Sequence, residues 1–419
     1  MKAADKITMS RRGFLGLGLG STAALGLAAC GGSNASDSGE GQAAASGDGA
    51  IKVGLICLHD ENSTYDLNFI NSFKDAMANL GVAEADYLIK TGIPESDACY
   101  DAAAELVDAG CTVVFADSFG HEDYMIQAAK EFPNVQFCHA TGTKAHTEKL
   151  ANYHNAFASI YEGRYLAGVA AGLKLKEIAD ANKLKGATPK MGYVGAYTYA
   201  EVISGYTSFF LGAKSIVPEV TMDVTFTGSW YDETAEKEGA TKLIDGGADL
   251  ISQHADSMGA PTACENAGIP NVSYNGSTKD ACPKTFIVSS RINWAPYYEY
   301  VVNAVKSGST IDTDWTGTLG TGSVELTEIN EAAAAKDTQA KLDEVKAGLE
   351  DGSIHVFDVS TFTVDGKAQD SYKADVDTDA DYTPDTEVIA DGYFHESEFR
   401  SAPYFDLKID GINLLDTKM

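Results

Sequence analysis

Five short segments of this chain gather carboxylates, amides, hydroxyls and aromatic rings directly behind apolar runs. They are His59-Asp60-Glu61-Asn62-Ser63-Thr64-Tyr65-Asp66, Asp117-Ser118-Phe119-Gly120-His121, Gly228-Ser229-Trp230-Tyr231-Asp232, His254-Ala255-Asp256-Ser257-Met258 and Asn275-Gly276-Ser277-Thr278. Rings that stack, beside groups that hydrogen-bond, suit a flat, polar, uncharged ligand. Any one segment also reads as a helix cap, because Asp, Asn and Ser are common at strand–helix junctions. Five of like composition favour ligand contact. Covalent chemistry has less support: the chain has no G-x-S-x-G, no H-E-x-x-H, no G-x-x-x-x-G-K-[ST], and no G-x-G-x-x-G after its first apolar run. Its eight histidines are dispersed without an i,i+4 pair, so no catalytic residue, metal or cofactor is expected. Asp375-Val-Asp-Thr-Asp379 imitates the start of a calcium loop, but Ala380 replaces the required Gly and Thr386 the closing Glu, which favours a solvated acidic loop.

The elements that would carry these segments alternate. Val53–Leu58 is a continuous apolar run, as in a strand buried on both faces. Helical spacing follows over Phe69–Leu80, then a strand over Ala85–Lys90, a helix over Cys99–Ala109 and a strand over Thr112–Ala116. A helix over Tyr124–Phe132, a strand over Val135–Ala140 and a long helix over Tyr161–Leu175 complete a first series. A second starts at Lys190–Gly195 and runs through helices 200–214, 232–246 and 258–267 and strands 220–226, 249–253 and 270–274. Two such series predict two doubly wound parallel sheets, in which ligands bind beyond the carboxyl ends of strands. Thr285–Ser290 reads as a strand crossing back, Pro296–Lys306 and Glu331–Leu349 as helices, and 353–405 as hairpins and acidic loops.

Ahead of this lies Ser10-Arg11-Arg12-Gly13-Phe14-Leu15, an uncharged run to Ala29 and Leu27-Ala28-Ala29-Cys30. The twin arginines look like a bacterial export signal and the ending like a lipoprotein processing box, so Cys30 is expected to become the first mature residue and to carry lipid. A plain signal peptide with a chance cysteine is the alternative. Residues 31–49 contain no aromatic or branched aliphatic side chain, which predicts a flexible tether. Loss of residues 1–29 removes four cations and one anion and takes the formal charge from −30 to about −33. Such a surface repels nucleic acid and anionic headgroups. Of seven cysteines, Cys57 and Cys138 read as core thiols; Cys99, Cys111, Cys264 and Cys282 show no C-x-x-C spacing, and Cys264 with Cys282 is the pair to watch for a disulfide.

The first loop's Ser63-Thr64-Tyr65-Asp66, the run Glu162-Gly163-Arg164-Tyr165-Leu166-Ala167-Gly168-Val169-Ala170, Lys190–Gly195, Gly228–Asp232 and Gly247-Ala248-Asp249 occur in an order and spacing that resemble the basic membrane protein family of substrate-binding lipoproteins. The resemblance runs from about Lys52 to Leu349. It implies a type I periplasmic-binding-protein fold with a hinge of three crossing strands, supply of an ABC permease, and a nucleoside ligand. It also implies that Tyr65 and Trp230 stack on the base. Asp66 stands where the family usually has Asn, Asn275 where it has a ribose-binding Asp, and Arg291 near a usual Lys.

The resulting expectation is an α/β protein. Lobe I would comprise 51–157 with about 290–320, lobe II 158–289 with about 321–352, and 353–419 would form an extension packed on both. Asp60, Asn62, Tyr65, Asp66, Ser118, Phe119, Trp230, His254, Asp256, Asn275 and Arg291 would bind the ligand, a nucleoside, between the lobes. Its partners would be that ligand and the permease; it would be monomeric, touch the membrane only through the lipid on Cys30, and bind no nucleic acid. A ligand sensor without a transport role and an exported hydrolase are the alternatives.

Overall fold

A computed structural model describes residues 51–418 except 377, 378, 380 and 382. Cys30 and the export and tether segments lie outside the described residues, as does part of the acidic loop at 375–386.

The first sheet is built from five buried or half-buried runs: β1 (Val53–Ile56), β2 (Tyr87–Lys90), β3 (Val113–Ala116), β4 (Gln136–Ala140) and β5 (Tyr153–Ala158). Between them lie helices α1 (Thr64–Asn79), α2 (Asp97–Asp108), α3 (Glu122–Glu131) and the single turn α4 (Ala145–Glu148). The chain then crosses over through α5 (Ile160–Asp180) into a second sheet of β6 (Lys190–Gly195), β7 (Thr221–Phe226), β8 (Leu250–His254), β9 (Asn271–Tyr274) and β10 (Phe286–Ile292). Its helices are α6 (Ala200–Lys214), α7 (Glu233–Asp245) and α8 (Gly259–Ala267). From β10 the chain returns through α9 (Ala295–Ser307) to β11 (Asp314–Gly317), which pairs with β5. It crosses a third time to β12 (Val324–Leu326), antiparallel on β10, before α10 (Thr338–Glu350).

Strand order is β11-β5-β4-β3-β1-β2 in the first sheet and β12-β10-β9-β8-β6-β7 in the second, extended beyond β7 by strand Ile412–Leu414 in parallel register. Thr285–Ser290 therefore does not cross back. It is the last long strand of the second sheet, paired parallel with β9, and the crossing is made by the α9 segment behind it.

Local chemistry sets the helix starts. The Ser63 hydroxyl accepts from the Asp66 amide and donates to the Asp66 carboxylate, a reciprocal cap on α1. Ser96 caps α2, and Asp232 caps α7 through the Ala235 amide. The small residues along α5 face α6: a Cβ on Gly168 would meet the Phe209 carbonyl oxygen at 2.0 Å, and one on Gly212 the Tyr165 carbonyl oxygen at 2.1 Å. Glycine at both positions lets the two backbones touch, which locks the first crossing onto the second sheet.

All six described cysteines are free and buried, Cys264 and Cys282 among them, so the pair singled out by sequence forms no disulfide. No helix among the described residues is long and apolar enough to cross a membrane.

Candidate functional site

At the carboxyl ends of both sheets, loops from the two halves of the chain close around a narrow cleft. Its wall takes Leu58, His59, Tyr65 and Asp66 from behind β1, Ser118 and Phe119 from behind β3, and Thr141 from behind β4. From the second sheet come Glu201 at the start of α6, Trp230 behind β7, His254 and Asp256 at and behind β8, and Tyr274 at the end of β9. Among these lining residues none is Lys or Arg, while Asp66, Glu201 and Asp256 are carboxylates.

The aromatic residues arrive from both sides. Tyr65 is half-buried, packs on Phe69 at 4.9 Å between centroids, donates its hydroxyl to the Asp117 carbonyl at 2.7 Å and lines the cavity. Trp230 is half-buried; Tyr197 meets it edge-on at 5.1 Å and Tyr199 lies at 6.1 Å. Phe119, 41% exposed, faces Tyr199 at 5.4 Å, and His59 faces Tyr231 at 5.5 Å, so rings of the first-sheet loops meet rings of the second-sheet loops at the mouth.

The carboxylates differ in state. Burial alone would raise the Asp66 carboxyl, but hydrogen bonds from His59 and Ser63 outweigh it and hold the group below the usual range. Its Oδ1 accepts the His59 amide at 2.7 Å and its Oδ2 the Ser63 hydroxyl at 2.6 Å. Burial, reinforced by the charges of Asp66, Glu236 and Glu201, pushes Asp256 well up. Asp117, beneath the cavity, is raised in the same way, by burial first and then by Asp66. His254 is pushed down to about 4 by burial and by the Arg164 charge, so its ring is neutral near pH 7; its Nε2 lies 3.3 Å from Glu201. Arg164 itself is buried, donates to the Gln253 carbonyl at 3.0 Å and sits 3.5 Å over the Tyr274 ring.

The one group of potential metal ligands among the described residues is Cys57, Asp66 and Asp117, all buried with ligand atoms within 4.8 Å of one another. Burial raises both the Cys57 thiol and the Asp117 carboxyl, which disfavours the anionic forms a metal would need, and the Asp66 oxygens accept from His59 and Ser63.

Of the eleven residues expected to touch ligand, the structure brings seven to the wall: Tyr65, Asp66, Ser118, Phe119, Trp230, His254 and Asp256. Four are elsewhere. Asp60 and Asn62 are exposed and bond each other, Asn62 Nδ2 donating to Asp60 at 2.9 Å, which makes them a turn ahead of α1. Asn275 is buried in left-handed backbone at φ 62°, its amide bound to the Ser290 carbonyl, and does not line the cavity. Arg291 is turned to Glu325 at 2.9 Å and to Asn68 at 3.3 Å. Five lining residues were not among those expected: Glu201 and Thr141, and with them Tyr274, Leu58 and His59. The first two follow β6 and β4 as the other loops follow their strands, so the same rule applied to every strand would have found them.

Residues 54–355 match the model of the Bmp family, described as ABC transporter substrate-binding protein PnrA-like. A purine-binding protein of Brucella abortus is 36% identical over 202 residues, 48% of this chain and 53% of the relative. A putative ABC transporter glucose-binding protein of Haloferax volcanii is 32% identical over 235 residues, 55% and 56% of the two chains. The nucleoside-binding protein BmpA of Lactococcus lactis is 25% identical over 179 residues, 43% and 45%. The chain thus spans about half the length of the curated relatives it matches. Among solved structures, a solute-binding protein of an ABC transporter from Aeropyrum pernix superposes with a TM-score of 0.62 at 17% identity over 73% of this chain and 93% of that one. One from Conexibacter woesei gives 0.60 at 21%, over 73% and 98%. These two superpositions identify the fold as that of type I periplasmic solute-binding proteins.

Proposed function

The chain belongs to the Bmp family of PnrA-like ABC transporter substrate-binding proteins, and from that premise we propose that it captures a nucleoside outside the cytoplasmic membrane and delivers it to an ABC permease. One observation carries this reading: a cavity shared by the loops of both sheets whose wall combines the rings of Tyr65, Phe119, Trp230 and Tyr274 with the carboxylates Asp66, Glu201 and Asp256 and no cationic side chain. Rings supply stacking surface for a base. The Asp66 carboxyl, held below its usual range, repels phosphate, while the raised Asp256 carboxyl can donate as well as accept, so the ligand is polar and carries no negative charge.

The two sheets with their helices serve as the lobes, joined where the chain crosses between them. Ligand that touches both favours the closed arrangement, and closure is the signal the permease reads. Export through the twin-arginine segment and lipid on Cys30 hold the protein at the outer face of the membrane. The protein acts as a monomer without catalysis. A relative named for glucose makes a sugar the second reading.

Mass spectrometry of small molecules carried through purification, with calorimetric titration of adenosine, guanosine, uridine, adenosine monophosphate and glucose, tests the assignment. The expected result is binding of a nucleoside and none of the monophosphate. Binding of glucose alone would replace the nucleoside with a sugar, and conversion of a bound nucleoside would replace a binding protein with a hydrolase. A permease gene beside this one separates transport from sensing.

A further inference from the structure

The match to the family stops at residue 355, yet segment 412–418 runs back to the site. Strand Ile412–Leu414 adds to the free edge of β7, pairing with Met222, Asp223 and Val224. The Leu415 amide continues the ladder to the Val224 carbonyl at 2.8 Å. There the strand ends, while β7 still has Thr225 and Phe226 to run. The Asp416 side chain takes over: its Oδ1 accepts the Phe226 amide at 2.7 Å and its Oδ2 the Thr225 hydroxyl at 2.6 Å, with Lys242 Nζ at 3.8 Å from the latter. A backbone donor on a buried residue at a sheet edge otherwise lacks a partner. Phe226 is the last residue of β7, and Trp230 stands four residues on.

Two residues past Asp416, Lys418 grips the neighbouring loop. Its carbonyl accepts the Thr198 amide at 2.7 Å and its amide donates to the Thr198 hydroxyl at 2.9 Å. Thr198 lies between Tyr197 and Tyr199, whose rings stack at 5.1 Å and flank Trp230, and Glu201 follows on α6. One short segment therefore fixes both loops that bring second-sheet rings to the cavity mouth.

We propose that segment 415–418 is a positioning clamp for the ligand site, with Asp416 as the residue that sets where the Trp230 loop leaves β7. This rests on the reading of Trp230 as a ligand-stacking ring, but its geometric part stands without it. The loop's own bonds, Thr227 Oγ1 to Ser229 O and Ser229 Oγ to Tyr231 O, shape its turns. Asp416 fixes the stem from which those turns project.

Asp416→Ala and Asp416→Asn in the full chain test the clamp. Asn keeps an acceptor for the Phe226 amide, and its NH2 can donate to the Thr225 hydroxyl, so it restores the contacts that Ala removes. Full loss of base–aromatic stacking corresponds to about 5- to 150-fold in affinity. A Trp230 that is retained but loosened gives part of that, about 3- to 10-fold weaker adenosine binding in the Ala variant and near wild-type binding in the Asn variant. Amide exchange over 196–200 and 226–231 in unliganded protein should quicken in Ala and recover in Asn, at an unchanged melting temperature. Exchange in these loops equal to wild type in the Ala variant overturns the clamp, and so does an equal loss in both variants alongside a lowered melting temperature. If wild-type protein binds no adenosine, the nucleoside assignment is what suffers, and the exchange comparison alone decides the clamp.

Discussion

The backbone amide of Thr64 donates to the carbonyl oxygen of Asp256 at 2.9 Å, and the Thr64 hydroxyl reaches the same oxygen at 3.2 Å. Thr64 opens the helix behind β1, and Asp256 sits behind β8, so this is a direct bond between loops of the two sheets beside the cavity. Asn68 extends the seam one turn further along α1 by donating to the Ile292 carbonyl at 2.6 Å. Contacts of this kind exist only when the loops are together, so they stabilise the arrangement in which the ligand is enclosed.

Removing one of them should therefore weaken capture. Thr64→Val keeps the amide bond and the shape but deletes the hydroxyl donor. A neutral hydrogen bond contributes about 0.5–1.5 kcal/mol net, so calorimetry should show about 2- to 10-fold weaker binding of the ligand. Unchanged affinity would mean that the bond persists whether or not the site is closed.

Anchoring is tested at Cys30. Cys30→Ser should move the protein from the membrane fraction to the soluble fraction. Retention on membranes with the wild-type processed mass would refute lipid attachment at this residue.

Stability should respond to pH through Glu396. Burial raises this carboxyl from 4.5 to about 7, even though its Oε2 accepts the Tyr404 and Phe405 amides. A raised folded-state value means that the fold holds the proton more tightly than the open chain. The contribution is complete below about pH 4.5 and is lost as pH rises through 7, a change of about 3 kcal/mol. Glu236, also raised to about 7 by burial, acts in the same direction. His121, His139 and His254, lowered by burial to about 4, act oppositely: their contribution is present above 6.5 and lost as pH falls toward 4. Glu396→Gln isolates one part of this. Relative to wild type its melting temperature should climb between pH 5 and pH 8; a constant difference would show that Glu396 ionises normally.

Glu201 is the lining carboxylate that sequence reasoning passed over, and among the described residues its side chain bonds His254 alone. If it accepts a ligand N–H or O–H, Glu201→Gln replaces a charged hydrogen bond by a neutral one, a loss of about 1–1.5 kcal/mol or about 5- to 12-fold in affinity. Full affinity in this variant would leave Glu201 as a support for the His254 ring alone.

What could be read from sequence follows the physics of each element. Val53–Ile56, Val113–Ala116 and Leu250–His254 are buried on both faces and announce themselves as strands. Tyr153–Ala158 is equally buried but escaped, because His154 and Asn155 break its apolar run. Their polar atoms are satisfied by tertiary partners no local pattern contains: the Asp312 carbonyl and Gln136 for His154, the Ala145 amide for Asn155. The helix expected from Glu331 starts only at Thr338, because Asn330 closes a turn on Ala333 and Ala334 and Asp337 adopts left-handed backbone. In the site, the rule that loops behind strands meet ligand found both stacking candidates. It could not say that Arg291 would turn to Glu325, a partner supplied by a strand too short to recognise.

Trp230 is the sharpest single test of where the ligand lies. Its ring is half-buried against the core edge, flanked by Tyr197 and Tyr199, and its carbonyl accepts the Asp256 amide at 3.0 Å. That backbone bond survives substitution, so Trp230→Ala removes ring surface without unfastening the loop. Stacking on a base is worth about 1–3 kcal/mol, which predicts about 5- to 150-fold weaker nucleoside binding with the fold intact. A ring that served the core instead would cost about 3–5 kcal/mol of stability when removed. Thermal melts and titrations on the same preparation separate the two. A large fall in melting temperature with full affinity in the folded fraction would make Trp230 structural and move the base away from this wall.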